Sequence, residues 1–292
     1  MRKKQFIGQA VLHIFFVLMC LTYILPFLLL LAISVTDEKT IMEFGYNIIP
    51  KKISFEAYKQ VFNNPTQLIN SYKTTIIFSV TSTVLTVIVT TMTAYPLSRN
   101  NFKYKKALTW YIFITMLFGG GLIPSYLVNT KFLHLGNTIW VYILPGLVST
   151  WNVIIVRTFF QGIPESLAES AKIDGASEFY TFIKIMLPLS KPVMATIGFM
   201  FLLGKWNDWN TALIYIKDTK LYSLQYLLQK ILRETEFIKE MAGQNANFNN
   251  YTLPTESMRY ATAILAAGPM LVIFPFFQKY FTKGMTIGAV KG

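Results

Sequence analysis

Residues 11–33 carry no charged side chain over 23 consecutive positions, enough for about 34 Å of α-helix, and a run of that length reads as a bilayer crossing. Further apolar blocks follow at about 74–97, 107–128, 138–156, 192–214 and 260–281. Each reaches or approaches the roughly 20 residues that a hydrocarbon core requires. The chain is 53% hydrophobic and only 14% charged, whereas a soluble protein carries about 25% charged residues. The expected fold is therefore an all-α membrane protein with six transmembrane helices. Arg2, Lys3 and Lys4 precede the first block, as in a signal peptide. Its apolar core is too long for one, and no small-residue cleavage site interrupts it before Asp37, so the block is expected to be a retained span.

A net charge of +13 could suggest nucleic acid, but its distribution follows the membrane. With the amino terminus inside, the inner segments hold 14 basic residues against four acidic ones, and the outer segments hold 12 against nine. The short Ser98–Lys106 turn is the clearest basic cluster. This bias gives the positive-inside orientation, with both termini cytoplasmic. Cys20 lies inside the first span and excludes an intramolecular disulfide or a cysteine metal cluster. His13 and His134 are isolated, and no zinc-protease, nucleophile-elbow or paired-carboxylate pattern accompanies them. Lysines outnumber arginines 22 to five, a bias of AT-rich genomes that hints at a bacterial source.

Two long outer loops are expected, at about 34–73 and about 215–258. In the first, Phe55, Tyr58, Val61 and Phe62 recur at helical spacing, as a helix against the bundle or a docking surface for an external partner. In the second, Tyr222–Met241 reads as a helix with Leu224, Leu227, Leu228, Ile231 and Leu232 on one side, and Gly243–Pro254 as irregular chain. The second span is crowded with hydroxyls from Thr74 to Thr93, which points to close helix packing or a wet cavity rather than lipid. Gly119-Gly-Gly121 and Pro124 are expected to kink or break the third span. No internal repeat or linker divides the chain.

Between the fourth and fifth spans lies a polar, glycine-punctuated segment, Gln161–Pro192, that cannot sit in lipid. Pro164 suits a first helical turn, and Glu165 and Glu169 favour the positive end of its dipole. Leu167, Ala168, Ala171 and Ile173 form an apolar stripe, and Gly175 suits a left-handed cap. Ser177 can cap a second helix with Phe179, Phe182, Ile183 and Met186 on its apolar side, which Pro188 is expected to stop. The spacing is Glu169-x-Ala171, three residues, Gly175, nine residues, then Ile185-x-Leu-Pro188.

That spacing resembles the EAA loop of bacterial ABC importer permeases. Arg157-Thr-Phe-Phe160, Ile163-Pro-Glu-Ser-Leu167, Lys205-Trp-Asn-Asp-Trp209 and the ending Gly284–Gly292 are similar to the binding-protein-dependent sugar permeases, most of all those for oligomeric carbohydrates. Ser170 stands where that family usually has alanine. The resemblance implies a type I ABC importer transmembrane domain over 70–282, after a first span and outer loop over 1–69 and before a cytoplasmic tail, 283–292. It also implies a bacterial plasma-membrane location and coupling helices that dock on an ATPase through Glu165, Glu169, Ala171, Asp174, Gly175 and Ala176. The partners it implies are a second, homologous permease in a heterodimer, two ATP-binding subunits and an extracellular sugar-binding lipoprotein, which 215–258 would contact. ATP and Mg would be bound by the partner subunits, with no cofactor in this chain, which would itself be no enzyme.

Lys205, Trp206, Asn207, Asp208 and Trp209 are expected in the outer half of the fifth span. Lys205 and Asp208, at i and i+3, can pair. The run reads either as an aromatic belt with a structural ion pair or as a substrate pathway, in which rings face the C–H side of a sugar and Asn207 and Asp208 bond its hydroxyls. A secondary transporter would need coupling-ion groups or an inverted repeat, and neither is evident. A non-transporting membrane scaffold is the remaining alternative.

Overall fold

Helices account for the ordered elements of the computed structural model, which describes residues 2–243 and 255–289. In chain order they are α1 (Arg2–Ser34), α2 (Glu38–Phe44), α3 (Glu56–Val61), α4 (Pro65–Ser98), α5 (Lys105–Leu117), α6 (Leu122–Leu127), α7 (Trp140–Ile143) and α8 (Thr150–Gln161). There follow α9 (Glu165–Ile173), α10 (Glu178–Thr181), α11 (Leu187–Leu189), α12 (Lys191–Trp206), α13 (Asn210–Tyr215), α14 (Leu224–Gly243) and α15 (Thr255–Ala289). Extended pairing among the described residues is confined to one bridge, Thr36 with Ile53. The chain forms two compact units, Met1–Pro65 with Leu227–Pro269 and Thr66–Tyr226 with Met270–Gly292.

Among the described residues, three helices are long and apolar enough to cross a membrane: Gly8–Ser34, Pro65–Ser98 and Thr255–Gln278. Two bent pairs also qualify, Lys105–Leu117 with Leu122–Phe132 and Glu178–Leu189 with Lys191–Trp206. The expected block at 138–156 is not one continuous helix. It is parted into α7 and α8 at Leu144–Ser149, where Pro145 lacks an N–H and Gly146 takes φ +82°. The glycine run at 119–121 breaks the third block as expected: α5 ends at Leu117, Gly121 takes φ +82°, and the chain turns by 111° into α6.

In the first unit a buried acid organises the fold. Glu38, only 6% exposed, accepts from the N–H groups of Glu256 (2.9 Å) and Ser257 (3.0 Å) and from the hydroxyls of Ser257 (2.9 Å) and Thr255 (3.2 Å). These are donors at the start of α15, which has no intrahelical partners for its first N–H groups, so Glu38 caps that helix from far away in sequence. Tyr46 donates to Glu256 at 3.0 Å, and Arg259 bridges Glu236 (2.8 Å) and Glu256 (3.5 Å). Hydrogen bonding with Tyr260 and with the Glu256 carboxylate pushes the Tyr46 phenol up to about 12. In α3, Ala57 and Val61 are buried and the Tyr58 hydroxyl meets Ser34 Oγ at 3.1 Å, while Phe55 and Phe62 remain exposed. Leu227 and Leu228 of α14 are buried, as expected, and Phe237, Ile238 and Met241 farther along are exposed. The segment expected to be irregular, 243–254, lies almost wholly outside the described residues.

In the second unit α4 is inside out relative to a soluble helix. Ser71, Thr75, Ser79, Ser82, Thr86 and Thr90 are buried along one stripe at helical spacing, while Ile76, Ile77, Val80, Val84, Ile88 and Met92 are exposed. Small hydroxyl residues permit close approach without a bulky side chain. A Cβ on Gly198 of α12 would meet Val87 Cγ2 of α4 at 3.3 Å, a measure of how near the two helices come. At its carboxy-terminal end α4 joins a core of Ala94, Tyr95, Leu97, Val153, Val156, Phe160, Phe182, Met186, Val193 and Ile197. That core ties together α4, α8, the turn before α11, and α12.

Candidate coupling loop and translocation cleft

The helix-turn-helix between α8 and α12 follows the local chemistry of its sequence, with one correction. Pro164 sits at the N-cap of α9, just before the first helical residue. Gly175 has φ +81°; its N–H donates to Lys172 O (3.1 Å) and that of Ala176 to Ala171 O (2.9 Å), a Schellman closure. Ser177 Oγ accepts from Tyr180 N at 3.2 Å and caps α10. Pro188 does not stop the helix. The chain widens into a π turn over Phe182–Met186, takes Pro188 into α11, and ends at Ser190 before bending by 76° into α12. A proline inside an α-helix clashes with the carbonyl four residues back and removes one bond, and the wider turn absorbs both defects.

The loop shows one face to the chain and another to its surroundings. Ala168, Ala171, Phe182 and Met186 are buried. Ile173 is 85% exposed and Phe179 64%, and Leu167, Tyr180 and Ile183 are exposed as well. The expected apolar stripes are thus split between the two faces. Of the six coupling residues read from the sequence, Glu165, Glu169, Asp174 and Gly175 are exposed, Ala176 is half-buried, and Ala171 is turned inward.

Two hydrogen bonds fasten this loop to the end of α4 and the turn that follows it. Tyr95 Oη donates to Glu178 Oε2 at 2.8 Å. Asn100 Nδ2 donates to Glu165 Oε2 at 3.1 Å, and Lys105 Nζ holds the Asn100 carbonyl oxygen at 3.1 Å. Tyr95, Asn100 and Glu178 escaped the sequence reading. The available signal was a polar aromatic closing a hydroxyl-rich span, followed by a basic turn that faces an acidic first helical turn.

The Lys205–Trp209 run lies at the end of α12 rather than within a continuous span, because α12 stops at Trp206 and α13 starts at Asn210. The expected Lys205–Asp208 pair does not form. Lys205 Nζ donates to the Tyr142 carbonyl, while the Asp208 carboxylate accepts from Thr211 N (2.9 Å) and Thr211 Oγ1 (2.7 Å) and caps α13. The i, i+3 rule applies only while the helix continues, and Asp208 lies past its end. Trp206 is 3% exposed, Trp209 is half-buried, and Asn207 is exposed, its carbonyl oxygen accepting from Gln225 Nε2 at 3.0 Å. Asn152, Met200, Phe201, Gly204, Lys205 and Asp208 line a cleft of ≈ 340 Å³, within the roughly 300–1,000 Å³ of small-molecule sites. Asn152, from α8, was not singled out by the sequence.

Membrane-length helices, an exposed loop pinned to one of them, and a cleft with a few polar groups at a helix break define a multi-pass membrane transport subunit. The chain belongs to the family described as "Binding-protein-dependent transport system inner membrane component", which matches residues 1–287. Members of this family are the membrane permeases of ABC importers, transport subunits that work with ATPases and binding proteins rather than ATPases themselves. Protein LplC of Bacillus subtilis (strain 168) is 41% identical over 92% of this chain and 90% of its own. The polygalacturonan/rhamnogalacturonan transport system permease protein YtcP of the same organism is 34% identical over 99% and 100%. A bacterial ABC transporter involved in the import of the acidic polysaccharide alginate has a chain of similar structure, with TM-score 0.76, 25% identity, and coverage of 94% of this chain and 96% of that one.

Proposed function

We propose that this chain is the translocation subunit of an ATP-driven oligosaccharide importer in a bacterial plasma membrane, with six spans and both termini cytoplasmic. It pairs with a second, homologous permease, two ATP-binding subunits that hold ATP and Mg, and an external sugar-binding lipoprotein. The observation that carries this reading is the pinned loop. Its outward face offers Ile173, Phe179 and Tyr180 with Glu169 and Asp174 beside them, and the loop is bonded to α4 through Tyr95–Glu178 and to the turn after α4 through Asn100–Glu165. A push on such a loop moves a membrane helix as a rigid body, which is what alternating access requires. Glu165 holds the loop to the turn after α4, while Glu169, Asp174, Gly175 and Ala176 shape the docking surface and Ala171 closes its turn. The π turn and the core around Phe182 and Met186 carry the same displacement into α12 and the cleft.

Substrate passes, on this reading, beside Asn207, Asp208 and Trp209, with Trp206 supporting them from beneath. The relatives named for polygalacturonan, rhamnogalacturonan and alginate support a carbohydrate cargo. The test is ATP hydrolysis by the complex purified with its partner subunits and reconstituted in vesicles. Hydrolysis that rises with loaded binding protein, together with sugar accumulation inside, is the expected result. Sugar accumulation driven by an ion gradient without ATP would instead indicate a secondary transporter, and no accumulation under any condition would indicate a scaffold.

A further inference from the structure

The cleft beside α12 contains Lys205, a cation with no ion-pair partner among the described residues, although Asp208 lines the same cleft and attracts it at longer range. Among the described residues no carboxylate oxygen lies within the 4.0 Å of an ion pair with Lys205 Nζ. The acid in the cleft, Asp208, has both oxygens engaged by Thr211. An ammonium has three N–H donors, and the Tyr142 carbonyl takes one of them. Phe201 shows its ring to the same ammonium, 5.6 Å from centroid to Nζ, and Asn152 adds an amide from the opposite helix. Removing an ammonium from water is unfavourable unless an anion compensates it, and an ionisable group at membrane depth marks a pathway or a partner. A neutral sugar would leave that ammonium with only the longer-range attraction of Asp208.

We propose that this cleft recognises the carboxylate of a uronic-acid unit, with Lys205 Nζ as its counter-ion, Asn152 as a partner for ring hydroxyls and the Phe201 ring against the C–H face. The inference rests on the carbohydrate-importer reading and narrows it to acidic oligosaccharides. One ammonium matches the single charge of a carboxylate. A phosphoryl group brings about −1.5 to −2, more charge than one ammonium matches. Charge-assisted N–H···O bonds are short and strong, and a point charge on a flexible stem can follow a carboxylate as the sugar advances.

The test uses the full complex, reconstituted with its partner subunits and binding protein, and measures uptake of trigalacturonate and of its neutral methyl ester. Wild type is expected to favour the acid. Lys205→Met is expected to lower the acid-to-ester uptake ratio by roughly tenfold to a hundredfold, the range of one charge-assisted hydrogen bond, and Lys205→Arg to retain the preference. If Lys205 only steadies the end of α12, Lys205→Met reduces both sugars alike and the ratio stays unchanged, which overturns the proposal. A wild-type complex that moves the ester as well as the acid, or a neutral oligosaccharide alone, also overturns it and leaves the importer reading intact. If Lys205→Met does not assemble, the wild-type preference and the Lys205→Arg ratio still decide. A complex in which no carbohydrate is moved or stimulates ATP hydrolysis defeats the proposal together with the function beneath it.

Discussion

The Tyr95 hydroxyl donates to the Glu178 carboxylate at 2.8 Å, joining the last turn of α4 to the loop that follows α8. Tyr95 also packs its ring on Phe182 (5.1 Å) and edge-on to Phe160 (6.1 Å). One side chain thus contributes an apolar contact and a charge-assisted bond to the same joint. Tyr95→Phe keeps the first and removes the second. ATP hydrolysis stimulated by loaded binding protein is expected to fall in Tyr95→Phe and Glu178→Gln. A double-mutant cycle on the two should give a coupling energy of about 1–3 kcal/mol, as expected for a hydrogen bond to a charged group. Additive effects would show that the bond is not part of the transmission.

Gly175→Asp places a side chain at φ +81°, where non-glycine residues cost about 1–2 kcal/mol. Nothing lies within 4 Å of the position its Cβ would take, so the chain itself accommodates the change. The new carboxylate points into the docking surface. Membrane levels are expected to hold, with transport abolished and co-purification of the ATP-binding subunits weakened. Gly175→Ala separates the two effects, carrying the strain without the charge. Normal uptake by Gly175→Asp would exclude the loop as the coupling element.

Trp206→Ala tests position rather than contact. Because Trp206 is buried, its truncation leaves a cavity, for which about 3–5 kcal/mol is the usual cost. A lower midpoint of thermal unfolding in detergent is the expected outcome. Trp209→Ala, at a half-buried ring, should leave that midpoint nearly unchanged while reducing sugar-stimulated hydrolysis and sparing the basal rate. Unchanged transport of every sugar tested in Trp209→Ala would remove the ring from the pathway.

The hydroxyls of α4 divide into two groups with opposite expectations. Thr75 Oγ1 accepts from Leu224 N at 2.8 Å, so Thr75→Val strands a buried donor and should cost about 1–3 kcal/mol. Thr90 Oγ1 is buried without a hydrogen-bond partner among the described residues, and Thr90→Val, of the same shape, should be neutral or stabilising. Thermal unfolding of the two variants side by side checks this. A loss in Thr90→Val matching that of Thr75→Val would mean that a partner subunit or water satisfies Thr90 in the membrane.

Glu38→Ala removes four accepted bonds at the start of α15 and should destabilise the protein by about 2–4 kcal/mol, since each buried donor left unsatisfied costs about 1–3 kcal/mol. Glu38→Gln keeps one acceptor oxygen and should recover part of the loss.

What the sequence revealed was local. Gly175 and Ser177 were legible because a left-handed cap and an N-cap are decided within a few residues. The glycines at 119–121 announced their own break. Long-range partnerships left no such trace: nothing near Glu38 signals a bond to Thr255 217 positions away, and nothing near Tyr95 names Glu178. The Lys205–Asp208 pair failed because it presupposed a continuous helix, and the helix ends between them. Pro188 was misread as a terminator because periodicity carries no sign of a π turn that can absorb a proline.

That wide turn has a consequence for how this protein can change over time. A π turn amounts to one residue inserted into an α-helix, and one residue is worth about 100° of rotation. The phase of the chain entering α12 is therefore set by the count of residues between Thr181 and Leu187. Substitutions there can be graded, but a single deletion would turn Val193 and Ile197 away from their core and re-aim the cleft in one step. Substitution and deletion in this turn are therefore expected to differ in kind, the first shifting contacts and the second shifting phase.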